Sequence, residues 1–439
     1  MRRLVHKTGG FALKKYRNHT LTLAMVIAAH LLNIDNALAD CPRIALPDNS
    51  NLDPLRPFNA DLETIAGASA AGLRALEFGT NFQRRSANLI GLNPLIVASA
   101  ENNEQSGGAA SDDDGLASSL GVLLTGFGGS GTEKSRSLGT DVDWDTSAAT
   151  IAIDYSLSPQ IIVGAMYGSS NVSGCSTPQD DFTTAGSVNV ISSDVEGSFD
   201  VVSVYGIYES DNFYIDSIVS FGTGDFDFQR VQTVNGLRDE NDFILLERVN
   251  EVIVAETSSD LFRASIAAGL KKRYGRFELS PYSRLSIAQV NIDGYREELD
   301  IGNSLGHPAP GSGGGFALRL TEQDVESLTT GVGISSTFVM SSAFAVISFQ
   351  GDLEWVHEFN DTSNSLRESL AGFSQGTVSS AATAQRFPER QLDTDYFYLG
   401  VGATAVLQSG LQLYSVVQSL LDYQDVSETY FGAGIRYEF

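Results

Sequence analysis

The sequence predicts an all-β protein, a 12-stranded antiparallel transmembrane β-barrel preceded by a short N-terminal helical segment. Three observations predict it. The chain opens with an export-type leader. Apolar residues then alternate with polar or small ones over segments long enough to cross a bilayer, which takes about ten residues per tilted strand. The last segment, Tyr430 to Phe439, alternates up to an aromatic final residue.

The leader is read first because it fixes the compartment. Arg2, Arg3, Lys7, Lys14, Lys15 and Arg17 form a basic region, Leu21 to Leu32 an apolar run, and Ala37-Leu38-Ala39 a small-residue cleavage point. That order is a secretory signal peptide over residues 1–39. The run is too short to span a bilayer, which needs about 20 residues in a helix. Asp40 precedes Cys41 where lipoprotein processing wants a small residue, so lipidation is not expected.

The charge is −26 over the whole chain, and the leader removes six basic residues against one acidic one. The exported part is therefore more acidic still, and a nucleic-acid partner is excluded, because phosphate contacts need a basic footprint. The two cysteines, Cys41 and Cys175, are compatible with one disulfide in an oxidising compartment or with two unpaired thiols. Mean hydropathy is −0.04, with 43 Gly, 24 Phe and 15 Tyr. A chain neither apolar nor helically patterned, yet rich in aromatics, suits strands with two unlike faces.

Residues 40–117 differ in kind. Pro, Asn and Asp are frequent up to Phe58. Asn59 then caps a predicted helix in which Leu62, Ile65, Ala66, Leu73 and Leu76 recur at helical spacing. A second helical stretch is predicted near 82–92, and residues 101–115 form a polar linker.

From Leu120 the strands follow one another. Ala149, Ile151, Ile153, Tyr155 and Leu157 share one face, with Thr150, Ala152, Asp154 and Ser156 on the other. After the turn at Ser158-Pro159-Gln160, the apolar face continues in Ile161, Val163, Ala165 and Tyr167. The same pattern is expected in Phe199, Val201, Ser203, Tyr205 and Ile207, then in Phe213, Ile215, Val219 and Phe221. Pairs joined by two to four turn residues are hairpins. Strands are predicted at 120–131, 146–157, 161–172, 195–208, 213–227, 258–273, 277–295, 325–339, 343–358, 394–407, 411–423 and 429–439.

The connections alternate in length. Those near 158–160, 209–212, 274–276, 340–342 and 408–410 are short, and those near 173–194, 228–257, 296–324 and 359–393 are long. Short turns at one end and long loops at the other are the layout of a transmembrane barrel. Lipid offers no partners to backbone N–H and C=O groups, so crossing strands must close on themselves. In the strand from Ala343, Ala345, Ile347, Phe349, Leu353 and Trp355 take one face, and Gln350, Asp352, Glu354 and Glu358 the other, as lipid and wet lumen require. A soluble β-sandwich or propeller explains neither the loop alternation nor the aromatic terminus. Tyr155, Tyr167, Tyr205, Phe213, Phe221 and Trp355 are expected in the interfacial aromatic girdles.

With these segments in view, the chain resembles the autotransporter β-domain family, the translocators of type V secretion, from about Leu120 to Phe439. The resemblance rests on "AIDYSLSPQIIVGAMYG" (152–168), "FYIDSIVSFG" (213–222), "LSPYSRLSIAQVNIDGY" (279–295) and "YFGAGIRYEF" (430–439) in that order. It implies a bacterial outer-membrane barrel of twelve strands around a pore, with a helix threaded through it and a passenger carried to the surface. It divides the chain into residues 1–39, signal peptide; 40–117, short passenger, plug and linker; and 118–439, barrel. Fewer than 80 residues precede the first strand after the leader, and they carry no solenoid repeat, unlike the long passengers usual in the family.

The last strand also resembles the assembly signal of outer-membrane proteins. Phe431, Ala433, Ile435, Tyr437 and Phe439 share a parity and are the residues expected to meet the barrel assembly machinery. The other expected partners are outer-membrane lipids and lipopolysaccharide, and the protein is expected to be a monomer.

The motif matches that suggest chemistry fail on their context. Gly372-Phe373-Ser374-Gln375-Gly376 matches a nucleophile elbow but lies in a loop without the flanking strand and helix. Gly126 to Gly131 matches GxGxxG, yet no helix follows to receive a pyrophosphate. Asp141, Asp143 and Asp145 imitate a calcium loop but lack the bidentate Glu, Ala152 standing in its place, and read as a solvated loop. Past the leader only His307 and His357 remain. His357 with Asp361 is the one acid–base candidate, and its parity turns it toward lipid headgroups. No enzyme activity, cofactor or metal is expected. The competing readings are a surface adhesin acting through acidic loops, an outer-membrane hydrolase, and a diffusion pore.

Overall fold

The structure is a computed structural model describing residues 120–135, 140–178, 188–234, 249–300, 317–342, 344–360, 367–370, 385–386, 394–423 and 426–438. Twelve long strands make the barrel: β1 Leu120–Ser135, β2 Thr140–Ser158, β3 Ile161–Pro178, β4 Val188–Glu209, β5 Phe213–Val234, β6 Val249–Leu270, β7 Phe277–Ile292, β8 Gln323–Ser341, β9 Ala345–Glu358, β10 Asp395–Leu407, β11 Leu411–Leu421 and β12 Val426–Glu438. Each pairs antiparallel with its neighbours, and β12 returns to β1 in a continuous register from Gly121 opposite Glu438 to Glu133 opposite Val426. The sheet is thereby closed, which leaves no unpaired edge to face lipid.

The predicted strand pairs all form, but several run further than expected at the end away from the short turns. Residues 140–145, 173–178, 188–194, 228–234 and 249–257 are strand rather than loop. The Asp141-Asp143-Asp145 segment therefore lies in β2, with Asp143 opposite Cys175 and Asp145 opposite Ser173, and is not a calcium-type loop. These extensions shorten the connections at the loop end to residues 136–139, 179–187 and 235–248, so the loops there are not uniformly long.

The outward face changes character along each strand, and this locates the membrane. On β5, Phe213, Ile215, Val219 and Phe221 point outward, and beyond them Thr223, Asp225, Asp227 and Gln229 do. Phe213 to Phe221 spans roughly 26 Å along the strand, on the scale of the apolar band of about 25 Å that a barrel presents to lipid. Phe221 is 59% exposed and Val202 on β4 is 56% exposed, a cost in water and none in lipid. Tyr167, Phe213, Phe221 and Trp355 stand outward as girdle residues should.

Two face assignments are corrected. Phe199, Val201, Ser203, Tyr205 and Ile207 are buried and point inward, and the lipid side of β4 is Val202 and Val204. Counting apolar residues picks the richer face, but here that face packs within the barrel. Tyr205 is accordingly not a girdle residue. Its hydroxyl donates to Asp154 inside.

Inside, the wall has two tiers. At membrane level it mixes polar with apolar groups: Thr125, Asp154, Ser203, Ser220, Arg263, Arg284, Glu354 and Arg436 are buried there beside Ile162, Met166, Ile207 and Ile218. Beyond the belt the faces invert: Trp144, Val172, Val195, Phe199, Phe226 and Phe228 turn inward into one apolar cluster, while Asp143, Asp145, Glu196, Asp225, Asp227 and Glu256 turn outward. Phe199 and Phe226 meet edge to face at 5.3 Å.

Candidate functional site

The lumen is built from inward residues of alternate parity on every strand, and glycines make room for its largest rings. A Cβ at Gly164 would fall 2.3 Å from the Tyr205 ring, and one at Gly129 would fall 2.2 Å from the Tyr430 ring. The GxGxxG match over 126–131 is thus part of β1. Its inward glycines Gly129 and Gly131 receive Tyr430 and Trp144, so the segment is not a phosphate loop.

The charged groups of the polar tier come in pairs that bridge over an intervening strand. Arg436 of β12 donates through Nη2 to Asp154 Oδ1 of β2 at 2.8 Å, passing over Gly121 of β1. Asp154 also accepts from the Tyr205 hydroxyl at 3.4 Å, and Tyr414 and Thr125 are hydrogen-bonded beside it. Across the barrel, Arg284 of β7 meets Glu354 of β9 at 3.3 Å over Gly331 of β8, and Tyr282 donates to Asp352 at 3.0 Å. Lys271 and Glu209 pair near the short-turn end. In the upper tier Arg230 and Glu297 pair at 2.5 Å with no exposure at either side chain. In these pairs the opposite charges neutralise each other locally, and the wall presents hydroxyls, carboxylates and guanidinium groups to whatever occupies it. Such a wall suits passage or retention of a polar chain through an apolar layer.

The predicted assembly residues lie where their parity puts them. Phe431 is exposed on the outward face of β12, and Ala433, Ile435 and Tyr437 share that face half-buried. Phe439 lies outside the described residues, as do residues 59–92, where helices were predicted, Gly372 to Gly376, His307 and Asp361. His357 is paired with Asp395, Nδ1 to Oδ1 at 3.1 Å, and Trp355 Nε1 donates to the same oxygen at 3.1 Å. The hydrogen bond with His357 holds the Asp395 carboxyl below its ordinary range. His357 also lies against Phe359 edge to face, ring centres 4.8 Å apart, so the group belongs to the outward aromatic rim.

The inter-strand pairs and the inverted upper tier were missed by sequence reasoning. The alternation Asp225-Phe226-Asp227-Phe228 was the available sign, since it continues the strand period with polarity reversed.

A closed antiparallel barrel with a lipid-facing belt and charged, hydrogen-bonding groups in its lumen defines a membrane-spanning β-barrel. The autotransporter β-domain family model matches residues 122–417, and the chain belongs to that family. Among solved structures it is similar to the translocator domain of the autotransporter NalP from Neisseria meningitidis, with 12% identity, a TM-score of 0.49, and coverage of 82% of this chain and 96% of that one. It is also similar to the β-domain of the Bordetella autotransporter BrkA, with 15% identity, a TM-score of 0.44, and coverage of 73% and 100%. The transport unit of AIDA-I from Escherichia coli matches with 12% identity, a TM-score of 0.42, and coverage of 75% and 94%. Family membership rests on the sequence match and not on these superpositions. No curated protein matches the chain in sequence. The barrel is an outer-membrane translocator barrel.

Proposed function

We propose that the protein stands in the bacterial outer membrane with its short turns toward the periplasm, and that it carries its own N-terminal segment through the lumen to the cell surface. In this reading residues 1–39 are removed, residues 40–117 are passenger, plug and linker, and residues 118–439 are the translocator. The observation that supports it most directly is the polar tier: Asp154, Arg284, Glu354 and Arg436 are buried inward at the level where the outer wall is apolar. Paired as they are, Arg436 with Asp154 and Arg284 with Glu354, they line the lumen with hydrogen-bonding groups that a polar chain can use and a lipid-like interior would not offer.

The wall does no chemistry of its own in this proposal. The acid–base pair His357 and Asp395 faces out at the aromatic rim, away from the lumen. The outward face of β12, Phe431, Ala433, Ile435 and Tyr437 with the terminal Phe439, is the surface offered to the barrel assembly machinery. Lipids and lipopolysaccharide meet the belt, and one chain closes the whole barrel. An epitope inserted near residue 50 tests export. Added protease should remove it from intact cells, and an epitope protected until the outer membrane is opened overturns the proposal.

A further inference from the structure

Cys175 lies in the upper part of β3, beyond the apolar belt, opposite Asp143 on β2 and Asp194 on β4. Its parity is that of Tyr167 and Asn171, so it belongs to the outer wall, where Asn171 and Asp143 are exposed. Cys175 is nevertheless only 5% exposed, and it is disulfide-bonded. The sequence contains one other cysteine, Cys41.

We propose that Cys41 and Cys175 form an intramolecular disulfide that fastens the exported N-terminal segment to the outside of the barrel at the cell surface. The geometry makes this a crossing. β1 begins at Leu120, level with Tyr155 and one residue from the pairing of Gly121 with Glu438, at the short-turn end. Cys175 is level with Thr132, twelve residues further along β1, through Asp143. At about 3.3 Å per residue the two levels are roughly 40 Å apart along the strand. Residues 42–119 join them, and even fully helical at 1.5 Å per residue they would reach about 115 Å. A chain pinned at both levels must cross the membrane, and the polar lumen is the route that does not take polar backbone and charged side chains through lipid.

The bond also resolves the short passenger. A segment of fewer than 80 residues that is exported and then held is displayed, not secreted. Formation takes two thiols to one disulfide, with two protons released and two electrons passed by thiol–disulfide exchange to a disulfide oxidant of the cell envelope, itself reduced to a dithiol.

This inference rests on the export reading above, and two readouts separate them. The first is a thiol count on the full-length protein, denatured with and without reductant. The expected result is none before reduction and two after, with one free thiol in Cys41→Ser and one in Cys175→Ser. Non-reducing digestion should yield a Cys41–Cys175 linked peptide. Free thiols in the wild type, or a chain dimer on a non-reducing gel, overturn the disulfide. The second readout applies a membrane-impermeant reductant and then an impermeant maleimide to intact cells, with two adducts per chain expected. A disulfide found by the first readout but out of reach in the second overturns export while leaving the bond intact.

Discussion

Arg436 and Asp154 belong to strands that do not touch, and they are joined over the one residue that lets them meet. A Cβ at Gly121 would lie 2.4 Å from Asp154 Oδ1 and 2.8 Å from Arg436 Nη2. The pair therefore spans the seam β12–β1–β2, where the first and last strands close the barrel. Arg436 and Asp154 are 2% and 1% exposed. Arg284 and Glu354 repeat the device over Gly331 on the far wall, which shows that seam and wall are locked by the same means.

Removing one partner of the seam pair should be much worse than removing both. A buried ion left alone costs about 3–5 kcal/mol, whereas replacing the whole pair with apolar groups of similar volume is often neutral. Arg436→Met and Asp154→Leu alone should each lower the temperature at which the heat-modifiable folded band is lost, and the double variant should recover most of that loss. Additive losses would show that the pair does not act as a unit.

The lumenal glycines should differ in tolerance according to what a methyl group meets. At Gly434 it would approach the Tyr414 hydroxyl at 2.2 Å and the Leu124 carbonyl oxygen at 2.5 Å, and that backbone cannot move without breaking the seam register. At Gly331 the closest contact, 2.2 Å, is the end of the Glu354 side chain. Gly434→Ala should destabilise by about 1–3 kcal/mol as overpacking does, and Gly331→Ala by less. Unfolding in denaturant compares them, and equal losses would contradict the steric account.

The terminal residue should matter for assembly more than for stability. Deleting Phe439 leaves the β1–β12 register from Gly121 to Glu133 untouched. The expected outcome is less folded protein in outer membranes at unchanged synthesis, with the fraction that does assemble melting as the wild type does. Wild-type yield after the deletion would refute a recognition role for Phe439.

Much of this was legible in the sequence because a bilayer imposes a period of two. Residues 149–167 and 343–358 show which side of each strand meets lipid, since the other side carries Asp154 or Asp352 and Glu354. The alternation of short and long connections yields the strand number. Three things were not legible. The inward turn of Tyr205 depends on Asp154 and Gly164 of other strands, which periodicity within β4 cannot reveal. The extent of β2 to β6 beyond the belt was hidden because Asp143, Asp145, Asp225 and Asp227 look like loop residues, although their neighbours Trp144, Phe226 and Phe228 pack inward. The pairing of His357 with Asp395 is a cross-strand contact, which spacing along the chain does not reveal.

The outward face above the belt should be stabilised by removing charge. Glu196, Asp227 and Glu256 stand directly opposite one another on β4, β5 and β6. Like charges so placed are destabilising, with cross-strand pairs worth about 0.2–1 kcal/mol. Asp227→Lys turns two repulsions into two attractions and should raise stability at low ionic strength. Because the side chains are exposed, the gain should shrink toward 1 M salt, where screening extends only about 3 Å. A salt-independent effect would point to packing instead.

Asp145 supplies a pH dependence of opposite sign to that of most carboxylates. Burial raises its pKa above the ordinary 3.8, and the neighbouring charge of Asp143 raises it further. The folded state then holds the proton more tightly than the unfolded chain, so ionised Asp145 weakens the fold, and that penalty disappears as pH falls through the raised value. Asp145→Asn should therefore stabilise the barrel at neutral pH and lose its advantage as pH falls below the ordinary 3.8, where the wild-type group is neutral too. Asp143→Asn should carry part of the same benefit by lowering the Asp145 pKa, which carboxyl-carbon NMR in micelles would register directly. An Asp145→Asn variant that gains as much at pH 3 as at neutral pH would show that the effect comes from side-chain shape or hydrogen bonding and not from charge.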